Sequence, residues 1–120
     1  MASVLRVENA RRLELRGRTA LELLGGGAGQ DMTVRIVEVA PEAPGAEARP
    51  LHVHDGVGEF IWLLAGSGTL HTGAGTLAVE AGEGVYVPAG EHHKIAPAGE
   101  VPLRLMCVFA TGDIASRTRE

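Results

Sequence analysis

The chain alternates apolar and polar residues with a period of two in ten short runs, and glycine-rich segments separate most of them. The alternation is clearest in residues 31–39, where Met32, Val34 and Ile36 share one face, and in residues 101–109. A period of two is typical of β-strands that turn one face toward a core. The predicted strands cover residues 12–16, 19–24, 31–39, 51–54, 59–64, 69–71, 76–79, 84–87, 93–96 and 101–109. Short strands joined by glycine turns, one of them at residues 25–27, favour an all-β sandwich or barrel.

The length of the chain fits one hydrophobic core. With 120 residues, we expect a single domain over residues 1–120. The 17 glycines follow no fixed repeat, which argues against a collagen-like fibre. The Pro/Ala/Glu-rich residues 40–50 are too few for an interdomain linker and are predicted to form a long loop. The polar residues 111–120 are predicted to be a loosely held tail.

Charge and hydropathy exclude two classes of function. A net charge of −4 provides no basic face for nucleic acid. The arginines at positions 6, 11, 12, 16 and 18 are predicted to lie on the solvated face of a strand. No apolar stretch is long enough to span a bilayer, and the N-terminus lacks the apolar core of a signal peptide. The single cysteine, Cys107, cannot form an internal disulfide, so we expect a cytoplasmic location.

Three histidines and one carboxylate are spaced so that they can meet across a sheet. His52 and His54 are two residues apart in a predicted strand, so their side chains share a face. Glu59 follows a loop that contains Gly56 and Gly58, and such a hairpin returns its carboxylate to the two imidazoles. His93 follows Pro88-Ala89-Gly90, a segment able to turn the next strand toward the same point. Imidazoles placed together inside a barrel need metal coordination or a dense hydrogen-bond network.

These motifs resemble those of the cupin superfamily. The first family motif, H-x-H, a short spacer, Glu, six residues and Gly, reads HVHDGVGEFIWLLAG over residues 52–66. The second reads GEGVYVPAGEHHKIAP and includes its glycines, proline and histidine over residues 82–93. Two positions depart from the pattern, because Ala46 stands for the leading glycine and Pro97 for the terminal asparagine, and neither position is a ligand. The resemblance implies a small β-barrel (double-stranded β-helix or jelly-roll). Within it, one divalent metal would be bound by His52, His54, Glu59 and His93, with two coordination positions open.

The ligand types suit Fe, Mn, Ni, Zn, Cu or Co and argue against Ca and Mg. The predicted function is that of a mononuclear metal-dependent enzyme, with an oxygenase acting on a small metabolite as the first choice. An isomerase, lyase or cyclase is the alternative within the enzyme class. A non-catalytic module that binds or senses a metal or small ligand is the alternative outside it, and a barrel with a vestigial site is the third possibility. Glu59 is predicted to double as a proton acceptor, and Tyr86 is a candidate for assisting catalysis.

Several further residues that could be mistaken for site residues are predicted to have no part in the chemistry. His92 is predicted to point away from the site, because consecutive strand side chains face opposite ways. His71 is predicted to be exposed, and Cys107 to be a small core residue rather than a nucleophile. We expect a homodimer formed through sheet edges, with the N-terminal strands as candidates for the contact.

Overall fold

A computed structural model describes residues 1–26 and 30–120 as an almost entirely β structure. Its strands are β1 (Arg11–Leu15), β2 (Arg18–Leu24), β3 (Thr33–Val39), β4 (Val53–His54), β5 (Glu59–Ala65), β6 (Ser67–Thr72), β7 (Gly75–Glu80), β8 (Gly84–Val87), β9 (His93–Pro97), β10 (Leu103–Phe109) and β11 (Thr118–Arg119). Two short 3-10 helices cover Val7–Asn9 and Ala115–Arg117. The ten predicted strands are confirmed with bounds shifted by two residues at most. The predicted turn at residues 25–27 reaches residue 27, which lies outside the described residues.

The strands form two facing layers. One is a six-stranded sheet in the order β1-β2-β3-β10-β5-β8, in which every neighbouring pair is antiparallel. The other joins the three-stranded sheet β7-β6-β9 to the two-stranded sheet β11-β4. An antiparallel bridge between His52 and His93 links these two smaller sheets. The predicted all-β jelly-roll barrel is therefore confirmed.

The inner faces of both layers meet in one hydrophobic core. Alternation along β5 turns Ile61 and Leu63 inward, and both are almost fully buried. They pack in the same cluster as Leu70 of β6 and Ile95 of β9, which come from the opposite layer. This packing holds the two sheets at the separation that defines the interior of the barrel.

Gly66 forms the crossing from one layer to the other, since β5 ends at Ala65 and β6 begins at Ser67. Its φ of +92° lies in the region that side chains rarely adopt. A Cβ at this position would lie 2.9 Å from the carbonyl oxygen of Pro102 and would contact Leu103. The glycine that closes the first motif is thus required by both backbone conformation and space.

The outer face of the six-stranded sheet is also apolar. In register across β3, β10 and β5 lie Ile36, Met106 and Trp62, and beside this row Val108 pairs with Phe60. Side chains that pair directly in antiparallel strands project from the same side of the sheet. We call the following set the outer apolar face: Leu21, Val34, Ile36, Phe60, Trp62, Tyr86, Met106 and Val108.

The C-terminal segment is ordered against the barrel, and the prediction of a loosely held tail is wrong. Ile114 is 2% exposed and anchors the segment in the core. Beyond it, Thr118 pairs with His54 and Arg119 pairs with Val53. One buried isoleucine among polar residues gives only a weak sequence signal for an ordered segment.

No helix in the described residues is long and apolar enough to cross a membrane.

Candidate metal centre

The four predicted ligands converge inside the barrel. One ligand atom from each of His52, His54, Glu59 and His93 lies within 4.8 Å of the others. His54 belongs to β4, while Glu59 and His93 are the first residues of β5 and β9. His54, Glu59 and His93 are buried, and His52 is half-buried. The predicted meeting of the four side chains is confirmed, and the group could hold a metal ion.

Backbone hydrogen bonds hold the loops that carry these side chains. The amide of His52 donates to the carbonyl of His93 at 2.9 Å, and the reverse bond measures 2.8 Å. The amide of Gly90 donates to the carbonyl of His54 at 3.0 Å. Gly90 has a φ of +81°, so the turn before His93 uses a conformation suited to glycine. Both histidine motifs are thereby fixed to each other through the main chain.

The hydrogen-bond partners of His93 determine which of its nitrogens carries the proton. Nδ1 lies 2.9 Å from the carbonyl oxygen of Glu91, which can only accept a hydrogen bond. The neutral ring must therefore carry its proton on Nδ1. Its Nε2 then presents a lone pair to Oε1 of Glu59, 3.0 Å away.

The C-terminal segment fixes the proton of His54 on Nδ1, as the Glu91 carbonyl does for His93. The hydroxyl of Thr118 donates to the carbonyl of Ile114 at 2.7 Å, so its oxygen is left to accept from Nδ1 of His54 at 3.0 Å. Nε2 of His54 lies 3.3 Å from Oε1 of Glu59, yet it is buried and makes no hydrogen bond with any residue that the structure describes.

Two imidazole lone pairs thus converge on one carboxylate oxygen. Acceptors this close repel one another unless a proton or a cation lies among them. A metal ion would satisfy the buried Nε2 of His54 and the pair of His93 and Glu59 together. Metal-bound histidines generally donate their other ring nitrogen to a fixed partner, as both do here. The donor set therefore fits a metal.

The charge state of the ligands suits cation binding. Burial alone would raise the pKa of Glu59, but contact with His54 and His93 lowers it to about 2. Burial, together with the charges of His93 and Arg18, lowers the pKa of His52 to about 3. At neutral pH the group offers a carboxylate and a neutral imidazole, the forms that coordinate metals.

A cavity of about 440 Å³ adjoins the four side chains, large enough for a small metabolite. Its apolar wall includes Leu13, Ile61 and Leu105. Cys107 also lines it, and burial followed by the charge of Glu59 raises the pKa of this thiol well above its usual range. The predicted core position of Cys107 is confirmed, and its thiol is protonated at neutral pH.

A family model described as Cupin domain matches residues 38–109. The chain is a cupin. No curated protein sequence matches it.

Solved structures share the fold at low identity. A sugar phosphate isomerase of the cupin superfamily from Silicibacter pomeroyi is 21% identical, over 90% of this chain and 75% of its own, with a TM-score of 0.72. Streptomyces PAC13 with uridine is 13% identical, over 99% of this chain and 90% of its own, with a TM-score of 0.79. Bacillus subtilis oxalate decarboxylase is 21% identical, over 96% of this chain but 31% of its own, with a TM-score of 0.76. A further structure of that decarboxylase concerns its Mn(II) centers. At such identities the likeness shows the fold alone.

Tyr86, a predicted catalytic residue, lies on the opposite face of the sheet from the cavity that the other site residues line. Alternation along β8 buries Val85 and Val87 and turns Tyr86 to the outer apolar face, where it is 69% exposed. Its hydroxyl lies against Gly58 rather than in the cavity of the cupin. We therefore no longer assign it a part in the chemistry. His92 is exposed and outside the cluster, as predicted, whereas His71, expected to be exposed, is half-buried.

The predicted solvated face of the N-terminal arginines is only partly correct. Arg12 lies outward, but Arg11 and Arg18 line the cavity. The signal was present in the sequence: Arg11 shares strand parity with Leu13, and Arg18 shares it with the buried Ala20. Thr118 carried no comparable signal, because its role depends on a pairing between distant segments.

Proposed function

We propose that this cupin is a mononuclear metal-dependent enzyme for a small metabolite, with His52, His54, Glu59 and His93 as the ligands. The convergence of two imidazole lone pairs on Glu59 beside a cavity is the observation that carries the proposal. The metal would be Fe, Mn, Ni, Zn, Cu or Co, since nitrogen ligands predominate. The Mn(II) centers of Bacillus subtilis oxalate decarboxylase are a precedent for manganese in this fold.

Oxygenase chemistry is the first candidate. Among the described residues that line the cavity, Glu59 is the only carboxylate, and neither lysine nor tyrosine is present. Proton-transfer catalysis needs a positioned acid or base, which here would require Glu59 to leave the metal. A bound metal with open positions can supply redox or Lewis-acid chemistry without such a group.

The side chains of the cupin have defined parts in this proposal. Thr118 and the Glu91 carbonyl hold two imidazoles with Nε2 toward the metal position. Glu59, a carboxylate at neutral pH, would neutralise part of the metal charge, and it is the proposed proton acceptor only when it has left the metal. The apolar wall excludes water around the substrate.

An isomerase or lyase is the second candidate. Support comes from the two structural relatives described as a sugar phosphate isomerase and an oxalate decarboxylase, although their identities to this chain are low. In this case Glu59 would accept or donate the substrate proton, and a redox-inert metal would suffice.

Metal analysis followed by activity assays tests these proposals. Elemental analysis of protein purified without added metal should find about one transition metal per chain. The iron-loaded protein should consume oxygen with a member of a panel of catechols, flavonols, diketones and thiols. Full zinc occupancy with no oxygen uptake after iron loading would remove the oxygenase proposal and leave the isomerase or lyase.

A pair of neighbouring histidines provides the matched control. His93→Ala should abolish tight metal binding, while His92→Ala, at an exposed position one residue away, should retain it. Metal content that survives His93→Ala would contradict the proposed coordination.

We also propose a homodimer, now through the outer apolar face. Trp62 and Phe60 there are 37% and 41% exposed, and their strand neighbours extend the apolar surface across the sheet. Large contiguous apolar surfaces typically mark interfaces. Light scattering should give twice the chain mass, and Trp62→Glu should halve it. Leu77→Glu, an exposed control on the other layer, should leave the dimer intact, and a monomeric wild type would refute the proposal.

We retain a cytoplasmic location as a proposal. It rests on the single reduced cysteine, and cell fractionation tests it.

A further inference from the structure

The cavity beside the candidate metal centre is unusually rich in arginine for an acidic chain. Four arginines line it, Arg11, Arg18, Arg35 and Arg49, against one lining carboxylate, Glu59. The chain as a whole carries a net charge of −4. A concave site of one sign attracts ligands of the opposite sign.

Protein carboxylates neutralise only some of these cations. Arg11 and Arg35 share the buried Glu22, at 2.6 Å and 3.1 Å. Arg49 donates to the carbonyl of Ile95 and lies 3.8 Å from Glu42. These contacts account for the positions of three of the four guanidinium groups.

Arg18 is different, because no carboxylate of the described residues lies within ion-pair distance of it. Among the described residues its side chain makes one hydrogen bond, from Nη1 to the carbonyl of Arg16 at 3.0 Å. The residue opens β2 on the same face as Ala20 and Glu22, which are both buried. The structure thus directs a cation with spare donors into the cavity.

Arg18 also lies close to the candidate ligands. Its charge contributes to the lowered pKa of His52. Burial, followed by the charge of Arg49, lowers the pKa of Arg18 itself. A partly desolvated cation facing a second cation is stabilised by any anion that enters.

Arg49 places a second, buried cation on the same cavity. Among the described residues its Nε makes no hydrogen bond and lies 3.8 Å from Oε1 of Glu42. A guanidinium presents paired donors that match a carboxylate or a phosphate. The free donors of Arg18, together with the positive charge of Arg49 beside it, are suited to one oxyanion.

We propose that the cavity binds a small organic anion whose carboxylate or phosphate group pairs with Arg18. The remainder of the ligand lies against the apolar wall and extends toward the metal ligands. This inference rests on the proposed function, because it names the substrate class of the same site. Arg18 is the residue that selects charged over neutral substrates.

Calorimetric titration of the zinc-loaded protein with three probes tests the proposal. Formate and inorganic phosphate are the smallest members of the two anion classes, and formamide is the neutral counterpart of formate. At least one anion should bind at least about tenfold more tightly than formamide, as expected for hydrogen bonds between charged groups. The tighter of the two anions assigns the ligand as a carboxylate or a phosphate ester.

Substitutions of Arg18 test whether the preference for anions depends on this residue. Arg18→Gln should weaken binding of that anion by about tenfold or more, and Arg18→Lys should retain part of it. Arg12→Gln, on the outward face of β1, is the matched control and should bind as the wild type does. Anion affinity unchanged in Arg18→Gln, or formamide bound as tightly as both anions, would overturn the proposal.

The metal content of each sample separates this inference from the proposed function. A protein that takes up metal but shows no preference for anions refutes the inference alone. A protein that takes up no metal refutes the proposed function, and the comparison of wild type with Arg18→Gln in the metal-free state still decides whether Arg18 binds anions.

Discussion

Replacing Thr118 by valine should loosen the metal centre while leaving the barrel folded. Valine has nearly the same shape but lacks the hydroxyl that accepts from Nδ1 of His54 and donates to the carbonyl of Ile114. Without that acceptor, His54 is free to carry its proton on Nε2, the atom that must be bare to bind a metal.

The expected magnitude follows from these two hydrogen bonds. Each is worth about 0.5 to 1.5 kcal/mol net, so their loss amounts to about 1 to 3 kcal/mol, shared between fold stability and ligand orientation. Removal of a residue that orients a metal ligand typically reduces metal affinity about 10- to 100-fold. We expect Thr118→Val to weaken metal binding at least about tenfold and to lower the melting temperature by a few degrees.

Competition between the protein and a chromophoric chelator measures the change in metal affinity. Thr118→Ser keeps the hydroxyl and should restore most of the affinity. Thr19→Val is the matched control, since it removes a hydroxyl that donates to Glu14 on the face of β2 that carries Leu21, outside the cavity. If Thr118→Val binds metal as tightly as the wild type, the assignment of the His54 proton to Nδ1 is wrong.

Three further predictions concern pH, backbone conformation and Tyr86. Dialysis from about pH 7.5 to about pH 5 should release the metal, because protons compete for the imidazoles. Burial opposes protonation of His93, but the hydrogen bond and charge of Glu59 outweigh it and raise the pKa of His93, which favours its protonation as the pH falls. Unchanged metal content at the lower pH would contradict coordination of the metal by the histidines. Gly66→Ala should lower the free energy of unfolding in urea by about 1 to 3 kcal/mol, whereas Gly99→Ala, with open space at its Cβ, should be nearly neutral; equal effects would contradict the steric argument. Tyr86→Phe should leave turnover unchanged. A large loss of kcat would show that Tyr86 takes part in the chemistry.

The fold was predictable because its signals are local. Alternation in residues 31–39 and 101–109 marks strands that the structure places side by side as β3 and β10. The spacing of His52 and His54 fixes a shared face for the same reason. Gly66 and Gly90 mark two turns in which φ is positive.

The rest of the site depends on contacts between distant segments. Thr118 gains its role only when β11 pairs with β4. Arg18 faces the cavity because β1 and β2 form a hairpin whose inner face carries the shared Glu22. Tyr86 was misassigned because an aromatic residue in a strand fits either face equally well by composition. Strand periodicity determines which residues share a face, but only packing determines which face is inside.

The pairing of β11 with β4 also imposes an order in time. Thr118 stands 64 positions after the histidine that it orients. At about 5 to 20 residues per second, a ribosome adds those residues in roughly 3 to 13 seconds. Throughout the later part of that interval the growing chain already contains every candidate ligand, yet it lacks the hydroxyl that sets the proton of His54. A metal bound during synthesis would therefore contact His54 while the tautomer of that imidazole is not yet fixed. The final orientation of His54 is reached only after β11 has paired with β4.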